Sequence, residues 1–184
     1  MSRIVFMVEE PSMKVLLENL LPRLLPGISF RCIPHQGKRD LEKSIPRKLR
    51  AWNIPGDRFV VVRDNDGGDC RELKQKLLSI CAEASRSDVM VRIVCQELEA
   101  WYFGDPKALA RAFDRKDLEG IDRKARYRQP DAIQQPSREI KKLIPEFQKI
   151  SGARLLARQI RREENNSRSF QVFMEGVERL LQEP

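Results

Sequence analysis

The sequence has very little histidine, and this shortage limits the chemistry that it can carry out. His35 is the only histidine among 184 residues. One imidazole cannot supply the paired histidine ligands of a zinc protease, and a Ser-His-Asp or Cys-His site would depend on that residue alone. An enzymatic activity of this chain should therefore rest on carboxylates.

The chain also lacks the features of membrane proteins and of disulfide-rich secreted proteins. No stretch approaches the roughly 18 to 20 apolar residues of a membrane span, and the first eight residues do not resemble a signal peptide. The four cysteines include no Cys-x-x-Cys pair, so neither a zinc site nor a disulfide framework is indicated. We expect a cytoplasmic protein with reduced, mostly buried thiols and no membrane contact.

Positive charge is abundant and unevenly distributed. The chain carries 35 Lys and Arg against 27 Asp and Glu, a net charge of +8. Residues 111–168 hold 16 basic and 9 acidic residues, which accounts for +7 of that total. This balance indicates a polyanionic partner, and we expect nucleic acid. The predicted contacts come from the densest basic clusters, Arg126, Arg128, Arg154, Arg158, Arg161 and Arg162.

The apolar pattern predicts an α/β fold. Runs rich in β-branched residues at 4–8, 28–33, 59–62 and 89–95 alternate with stretches of helical periodicity, which is typical of βαβ units. The continuous apolar character of these runs favours a parallel four-stranded sheet covered by helices on both faces. We predict an α/β core over residues 1–105 and a basic helical extension packed on it over 106–184.

The helices are predicted from periodicity and from breaking residues. Pro22 is expected to kink or break the last turn of the first helix, which Pro26-Gly27 ends. The consecutive aromatic residues 101–103 are expected to pack in the core, and residues 114–136 to form a loop. The predicted helices are 11–25, 40–52, 70–86, 98–103, 106–113, 137–150 with a break at Pro145, 153–162 and 169–181.

Acidic residues follow three of the four predicted strands. In an open parallel sheet the carboxyl ends of the strands gather at one edge, where functional groups collect. A pair of carboxylates two residues apart in an extended chain faces the same way and repels itself, and a hard cation such as Mg²⁺ or Mn²⁺ removes the repulsion. The alternative is a solvated turn, since Asp-Asn-Asp-Gly-Gly is also good turn chemistry. The acids concerned are Glu9 and Glu10, then Asp64, Asp66 and Asp69, then Glu97 and Glu99.

These segments resemble the Toprim domain of topoisomerases, primases and the OLD-family nucleases, which accompany ATPases in bacterial defence. Toprim proteins have a Glu after the first strand, often in Val-Glu-Gly-x-Thr-Glu, and an Asp-x-Asp after the third. Here Val8-Glu9-Glu10-Pro11-Ser12-Met13 and Arg63-Asp64-Asn65-Asp66 stand in these places. The whole chain is similar to a bacterial family of small Toprim-related proteins without an assigned reaction, through the segments 63–70, 97–105 and 167–170.

The resemblance implies a metal-dependent nuclease, with Glu9, Asp64 and Asp66 as catalytic residues and metal ligands. Glu97 or Asp69 is predicted to complete a Mg²⁺ or Mn²⁺ site, with Glu99 and Glu10 as alternatives. The implied partners are nucleic acid and a separate ATPase subunit, and a homodimer is left open.

Two departures from the Toprim motif support a second hypothesis. Glu10 replaces the motif glycine, and Met13, which cannot bind a hard metal, replaces its second Glu. The alternative function is therefore a catalytically degenerate module that binds nucleic acid or protein. A phosphatase of the haloacid dehalogenase type is disfavoured. Such enzymes carry Asp-x-Asp after the first strand, whereas in this chain the motif follows the third strand.

Overall fold

A computed structural model describes residues 3–182 of the chain, and this part contains one parallel sheet with helices on both faces. The strand order is β2-β1-β3-β4, and all neighbouring strands are parallel. The predicted α/β class, with a four-stranded parallel sheet flanked by helices, is confirmed. The strands are β1 (Ile4–Val8), β2 (Phe30–Pro34), β3 (Arg58–Asp64) and β4 (Met90–Val94).

Eight α-helices lie in the described chain, three between the strands and five after β4. Within α1 and α2, Pro22 and Pro46 lie inside the helix, so the expected break at Pro22 does not end α1 before Leu24. The helices are α1 (Pro11–Leu24), α2 (Lys38–Ala51), α3 (Cys70–Ala82), α4 (Glu99–Phe103), α5 (Pro106–Phe113), α6 (Pro136–Leu143), α7 (Lys149–Gln159) and α8 (Arg168–Gln182).

The two faces of the sheet pack against different helices because side chains alternate along each strand. Phe6 and Val8 of β1 point to one apolar cluster, which α1 and the helices after β4 complete. Val5 and Met7 point to a second cluster, formed with α2 and α3. Every residue of β1 is buried, as the predicted coverage of both faces requires.

The chain after β4 packs on the first of these clusters. Trp101, Tyr102 and Phe103 are each at most 1% exposed, which confirms the expected core packing. The segment expected to be a loop contains four short 3-10 turns, at Lys116–Leu118, Ile121–Arg123, Ala125–Tyr127 and Pro130–Ala132. These turns bury one apolar side chain or proline each, so the segment belongs to the core. The division into residues 1–105 and 106–184 stays a prediction.

No helix in residues 3–182 combines the length and the apolar character needed to cross a membrane.

Candidate metal centre

Glu9 and Asp64 lie side by side at the carboxyl edge of the sheet. β1 and β3 are adjacent, with Val8 opposite Val62, so the residues that follow them emerge together. The Glu9 Oε2 accepts a hydrogen bond of 3.3 Å from the backbone N–H of Asp64. The Asp64 Oδ2 accepts one of 3.1 Å from the N–H of Leu98, just before α4. The fold thus brings together the ends of β1, β3 and β4.

Negative charge at this edge is incompletely balanced. Burial and the charges on Glu9 and Glu99 raise the pKa of Asp64 well above its usual range. Burial and the charge on Asp66 also raise the pKa of Glu9, while Arg63, whose Nε lies 3.8 Å from Glu9 Oε2, opposes this shift. Carboxylates in such surroundings favour binding a proton or a cation.

Asp66 lies near this pair but is directed elsewhere. The backbone of Asp66 has a left-handed φ of 50°, and its N–H donates to the carbonyl of Gln96 at 2.9 Å. The Asp66 Oδ2 accepts a bond of 3.2 Å from Lys38 Nζ, at the start of α2. Because β3 ends at Asp64, the alternation of an extended strand does not extend to Asp66.

Asp69 and Glu97, which were predicted as further ligands, each bind the N-terminus of a helix. The Asp69 Oδ1 accepts from the N–H groups of Arg71 and Glu72 at 2.7 and 2.9 Å and caps α3. The Glu97 Oε2 accepts from the N–H of Ser137 at 2.7 Å, in the first turn of α6. These bonds satisfy N–H groups that have no partner within a helix.

Glu99 and Glu10 extend the acidic group on the side of α7. Glu99 is only 2% exposed, and burial raises its pKa to about 7 although the charge of Lys149 lowers it. The Lys149 Nζ lies 2.9 Å from Glu10 Oε2. Sequence reasoning missed Lys149, because nothing in the sequence shows that the first residue of a helix 50 positions after Glu99 reaches this edge.

A small cavity of about 10 Å³ lies between Glu9, Glu10 and Asp64. Its volume is close to the smallest space that admits one water molecule. The carboxylates in its wall are oxygen donors of the type that Mg²⁺ and Mn²⁺ prefer, so the donor chemistry fits such an ion. The residues that line the cavity are Glu9, Glu10, Ser12, Met13, Val62, Asp64 and Leu98.

The arrangement of these donors is incomplete for a metal site. Over residues 3–182, no three His, Cys, Asp or Glu side chains form a group that could hold a metal ion. The reason is visible in the contacts, since Asp66 binds Lys38, while Asp69 and Glu97 cap helices. Met13 is 4% exposed and occupies the part of the wall where another carboxylate could stand.

Three buried polar groups near this edge have an atom without a hydrogen-bond partner in the described chain, and one of these atoms is the Arg63 Nε. The Tyr102 hydroxyl is another, and burial with the charges of Glu99 and Asp64 raises its pKa well above the usual range. His35 is 3% exposed; its Nδ1 lies 2.9 Å from the Val8 carbonyl and its Nε2 is without a partner. From the sequence, Tyr102 was assigned to core packing together with its aromatic neighbours, so the position of its hydroxyl near Glu99 and Asp64 was not predicted.

The predicted basic residues do not form one helical face. Because α7 ends at Gln159, Arg161 and Arg162 lie beyond it. Arg154 and Arg158 are exposed one turn apart on α7, while Arg161 pairs with Glu164, and Arg162 with Glu178.

The other two predicted basic residues precede α6. The Arg126 guanidinium lies 2.6 Å from Glu139 of α6. Arg128 donates to the carbonyl of Arg123 at 3.4 Å.

Comparisons with known proteins agree with this architecture. The C-terminal region of the Burkholderia pseudomallei OLD protein is 16% identical, with a TM-score of 0.55 over 98% of this chain and 99% of that chain. The C-terminal region of the Xanthomonas campestris pv. campestris OLD protein, in a structure phased with mercury, is 13% identical, with a TM-score of 0.52 over 98% and 97%. At these identities the similarity concerns the fold. No curated protein matches the chain. A family model matches residues 8–178, and the chain therefore belongs to the family described as "Domain of unknown function (DUF4276)".

Proposed function

We propose that this protein cleaves phosphodiester bonds of nucleic acid with Mg²⁺ or Mn²⁺, in the manner of a Toprim nuclease. The observation that carries the proposal is the adjoining pair of Glu9 and Asp64, whose pKa values are both raised by burial and by neighbouring negative charge. Perturbed carboxylates at the carboxyl edge of a parallel sheet are typical of functional sites. The fold shared with OLD C-terminal regions supports the same conclusion.

In this proposal Glu9 and Asp64 hold the metal ion, and Asp66 joins them by exchanging its contact with Lys38. Glu97 and Asp69 would have to leave their helix caps to bind the same ion. When bound, the ion neutralises these carboxylates and stabilises the negative charge that develops on the phosphate oxygens.

Glu9 is also suited to accept a proton from the attacking water. Its side chain keeps 13% exposure, so water can reach it. Its raised pKa makes it a stronger base than an ordinary carboxylate once it is ionised. The guanidinium of Arg63, whose Nε lies 3.8 Å from Glu9 Oε2, opposes the rise in the pKa of Glu9 and so favours its ionised form.

The substrate backbone is proposed to bind along α7. This helix begins at Lys149, beside Glu10, and then exposes Arg154 and Arg158, about 6 Å apart along its axis. Exposed arginines that follow a carboxylate centre are suited to positioning phosphates. Arg126, Arg128, Arg161 and Arg162 are proposed as further contacts, although each of them would have to leave an ion pair or a backbone carbonyl.

The proposal extends to partners. The resemblance to OLD-family nucleases implies a separate ATPase subunit and a role in bacterial defence. Purification from cells that express the neighbouring genes tests this point, since an ATPase that co-purifies with the chain is expected.

Cleavage of labelled DNA and RNA in Mg²⁺ and Mn²⁺ tests the activity. Asp64→Asn and Glu9→Gln should each slow cleavage by at least about 100-fold, because they remove the charged donor while keeping the shape of the side chain. Asp88→Asn is the matched control, since Asp88 pairs with Arg86 away from this edge, and it should cleave at the wild-type rate. Wild-type rates in Asp64→Asn and Glu9→Gln would show that the roles are wrongly assigned.

A second candidate function is a catalytically degenerate module that binds nucleic acid or a protein. The observation that favours it is Met13, which is buried in the wall of the cavity where the motif has a carboxylate. Titration calorimetry with Mg²⁺ and Mn²⁺ separates the two candidates. A heat of metal binding that is present in wild type and Asp88→Asn but lost in Asp64→Asn supports the nuclease. The absence of binding at millimolar metal supports the degenerate module.

A further inference from the structure

Two cysteines lie in contact beside the candidate metal centre. The Sγ atoms of Cys70 and Cys95 are 3.6 Å apart, although 25 positions separate the residues in the chain. Cys70 is the first residue of α3, Cys95 directly follows β4, and both are half-buried. All four cysteines are free thiols, and the other two, Cys32 and Cys81, are buried.

The side chain of Asn65 connects this pair to the loop that carries the candidate ligands. Its Nδ2 donates to Cys70 Sγ at 3.0 Å and to the carbonyl of Gly68 at 2.8 Å. Its Oδ1 accepts from the N–H of Gln96, the residue after Cys95, at 2.5 Å. One amide group therefore contacts both cysteine segments while its own backbone stands between Asp64 and Asp66.

We propose that Cys70 and Cys95 form a reversible disulfide when the protein meets a peroxide. Disulfides of cytoplasmic proteins are usually transient and redox-sensing, and the two Sγ atoms of this pair lie 3.6 Å apart while both cysteines are free thiols. The proposal concerns the two thiols alone and holds whether or not the neighbouring carboxylates catalyse a reaction.

Cys70 is the sulfur that reacts first. It is the first residue of α3, and its Sγ accepts a hydrogen bond of 3.0 Å from the Asn65 Nδ2, so a polar donor faces this sulfur. Cys95 is half-buried directly after β4 and supplies the second sulfur of the disulfide.

The reaction balances with one peroxide molecule. The Cys70 thiolate attacks an oxygen of hydrogen peroxide, the O–O bond breaks, and hydroxide leaves with the proton that Cys70 gave up, as water. The Cys95 sulfur then attacks the sulfur of the Cys70 sulfenic acid, the S–O bond breaks, and hydroxide leaves with the Cys95 proton as a second water. The two thiols lose two electrons and the peroxide gains them.

The new bond would alter the neighbouring loop. A disulfide holds its sulfurs about 2.05 Å apart, so the start of α3 and the end of β4 must approach by roughly 1.5 Å at the sulfurs. The segment from Asp64 to Asp69 lies between β3 and the tethered end of α3. Oxidation should therefore slow the exchange of its backbone amides with solvent.

The test uses the full-length folded protein with hydrogen peroxide, followed by alkylation of the remaining thiols and mass mapping. A peptide linked through Cys70 and Cys95, lighter by two hydrogen atoms and restored by dithiothreitol, is expected. Cys70→Ser and Cys95→Ser should each abolish it. The matched control, a double variant with Cys32→Ala and Cys81→Ala, should form it at the wild-type rate.

Two further results bear on the proposal. The Tm of the oxidised protein should be about 10 °C higher than that of the reduced protein, since the disulfide closes a loop between residues 25 positions apart. Oxidation of Cys70 to sulfinic acid with Cys95 still a thiol would overturn the proposal. Formation of the linked peptide only in denaturant would overturn it as well, because the native contact would then play no part.

Discussion

Replacing Glu99 by Gln should stabilise the protein at alkaline pH and remove part of the pH dependence of its stability. Glu99 is 2% exposed, and burial raises its pKa from an ordinary 4.5 to about 7. The folded protein therefore holds this proton more tightly than the unfolded chain does. The stability linked to the proton is fully present below about pH 4.5 and is lost as the pH rises through about 7.

The size of the effect follows from the two pKa values. One pKa unit corresponds to about 1.4 kcal/mol, so an ionised Glu99 lowers the free energy of unfolding by roughly 3 kcal/mol well above pH 7. Between pH 5 and pH 8 the loss is about 2 to 3 kcal/mol, since part of it has occurred by pH 5. For a domain of this size, the Tm of Glu99→Gln should rise relative to wild type by roughly 5 to 10 °C over that interval.

Thermal unfolding followed by circular dichroism at pH 5, 6, 7 and 8 measures this difference directly. Glu9 and Asp64 also have raised pKa values, so wild type and Glu99→Gln should both lose stability with rising pH, and the informative quantity is the gap between them. Glu83→Gln, at an exposed position directly after α3, is the matched control and should run parallel to wild type. Parallel curves for Glu99→Gln and wild type from pH 5 to 8 would refute the reasoning.

Three further predictions concern packing, capping and binding. Gly152→Ala should lower the free energy of unfolding by about 1 to 3 kcal/mol in urea titrations, because the added Cβ would lie 2.4 Å from a ring carbon of Phe147. In the control Gly120→Ala the nearest atom is 3.5 Å away, and little change is expected. Asp69→Ala should lower the Tm by removing the cap of α3, and Asp69→Asn should restore most of the loss. If α7 binds duplex DNA, Arg154→Ala should reduce the slope of log K against log salt by about 0.9 in anisotropy titrations, whereas an unchanged slope would remove this residue from the interface.

The strands could be predicted closely because their signal is local. The apolar run predicted at residues 4–8 coincides with β1, and the run at 59–62 lies inside β3. A parallel sheet buries both faces of each strand, so a continuous run of apolar residues is enough to locate a strand in the sequence. The helices after β4 were placed less well: the one predicted at 153–162 begins earlier, at Lys149, and ends earlier, at Gln159. Exposed charged residues there carry little information about where a helix stops.

Of the candidate site, only the residues that directly follow the strands could be placed from the sequence. Glu9 and Asp64 adjoin because their strands pair, which the βαβ pattern implies. The direction of the Asp66 side chain depends on the left-handed backbone conformation that Asp66 adopts after β3 has ended. The proximity of Lys149 to Glu10 depends on the packing of α7 beside α1. Both features arise from contacts between segments distant in sequence.

The energetic character of this edge is itself an argument for function. Glu9, Asp64 and Glu99 all have raised pKa values, so at neutral pH the folded protein is less stable than it would be with neutral side chains at these positions. A chain selected for stability alone would hold amides or apolar groups there, and carboxylates that oppose folding are common at sites that bind or react. The lone His35 excludes a paired-imidazole site, and Lys149 balances only part of the charge. Under the proposed function, the group that restores the lost stability is the divalent cation that these carboxylates would hold.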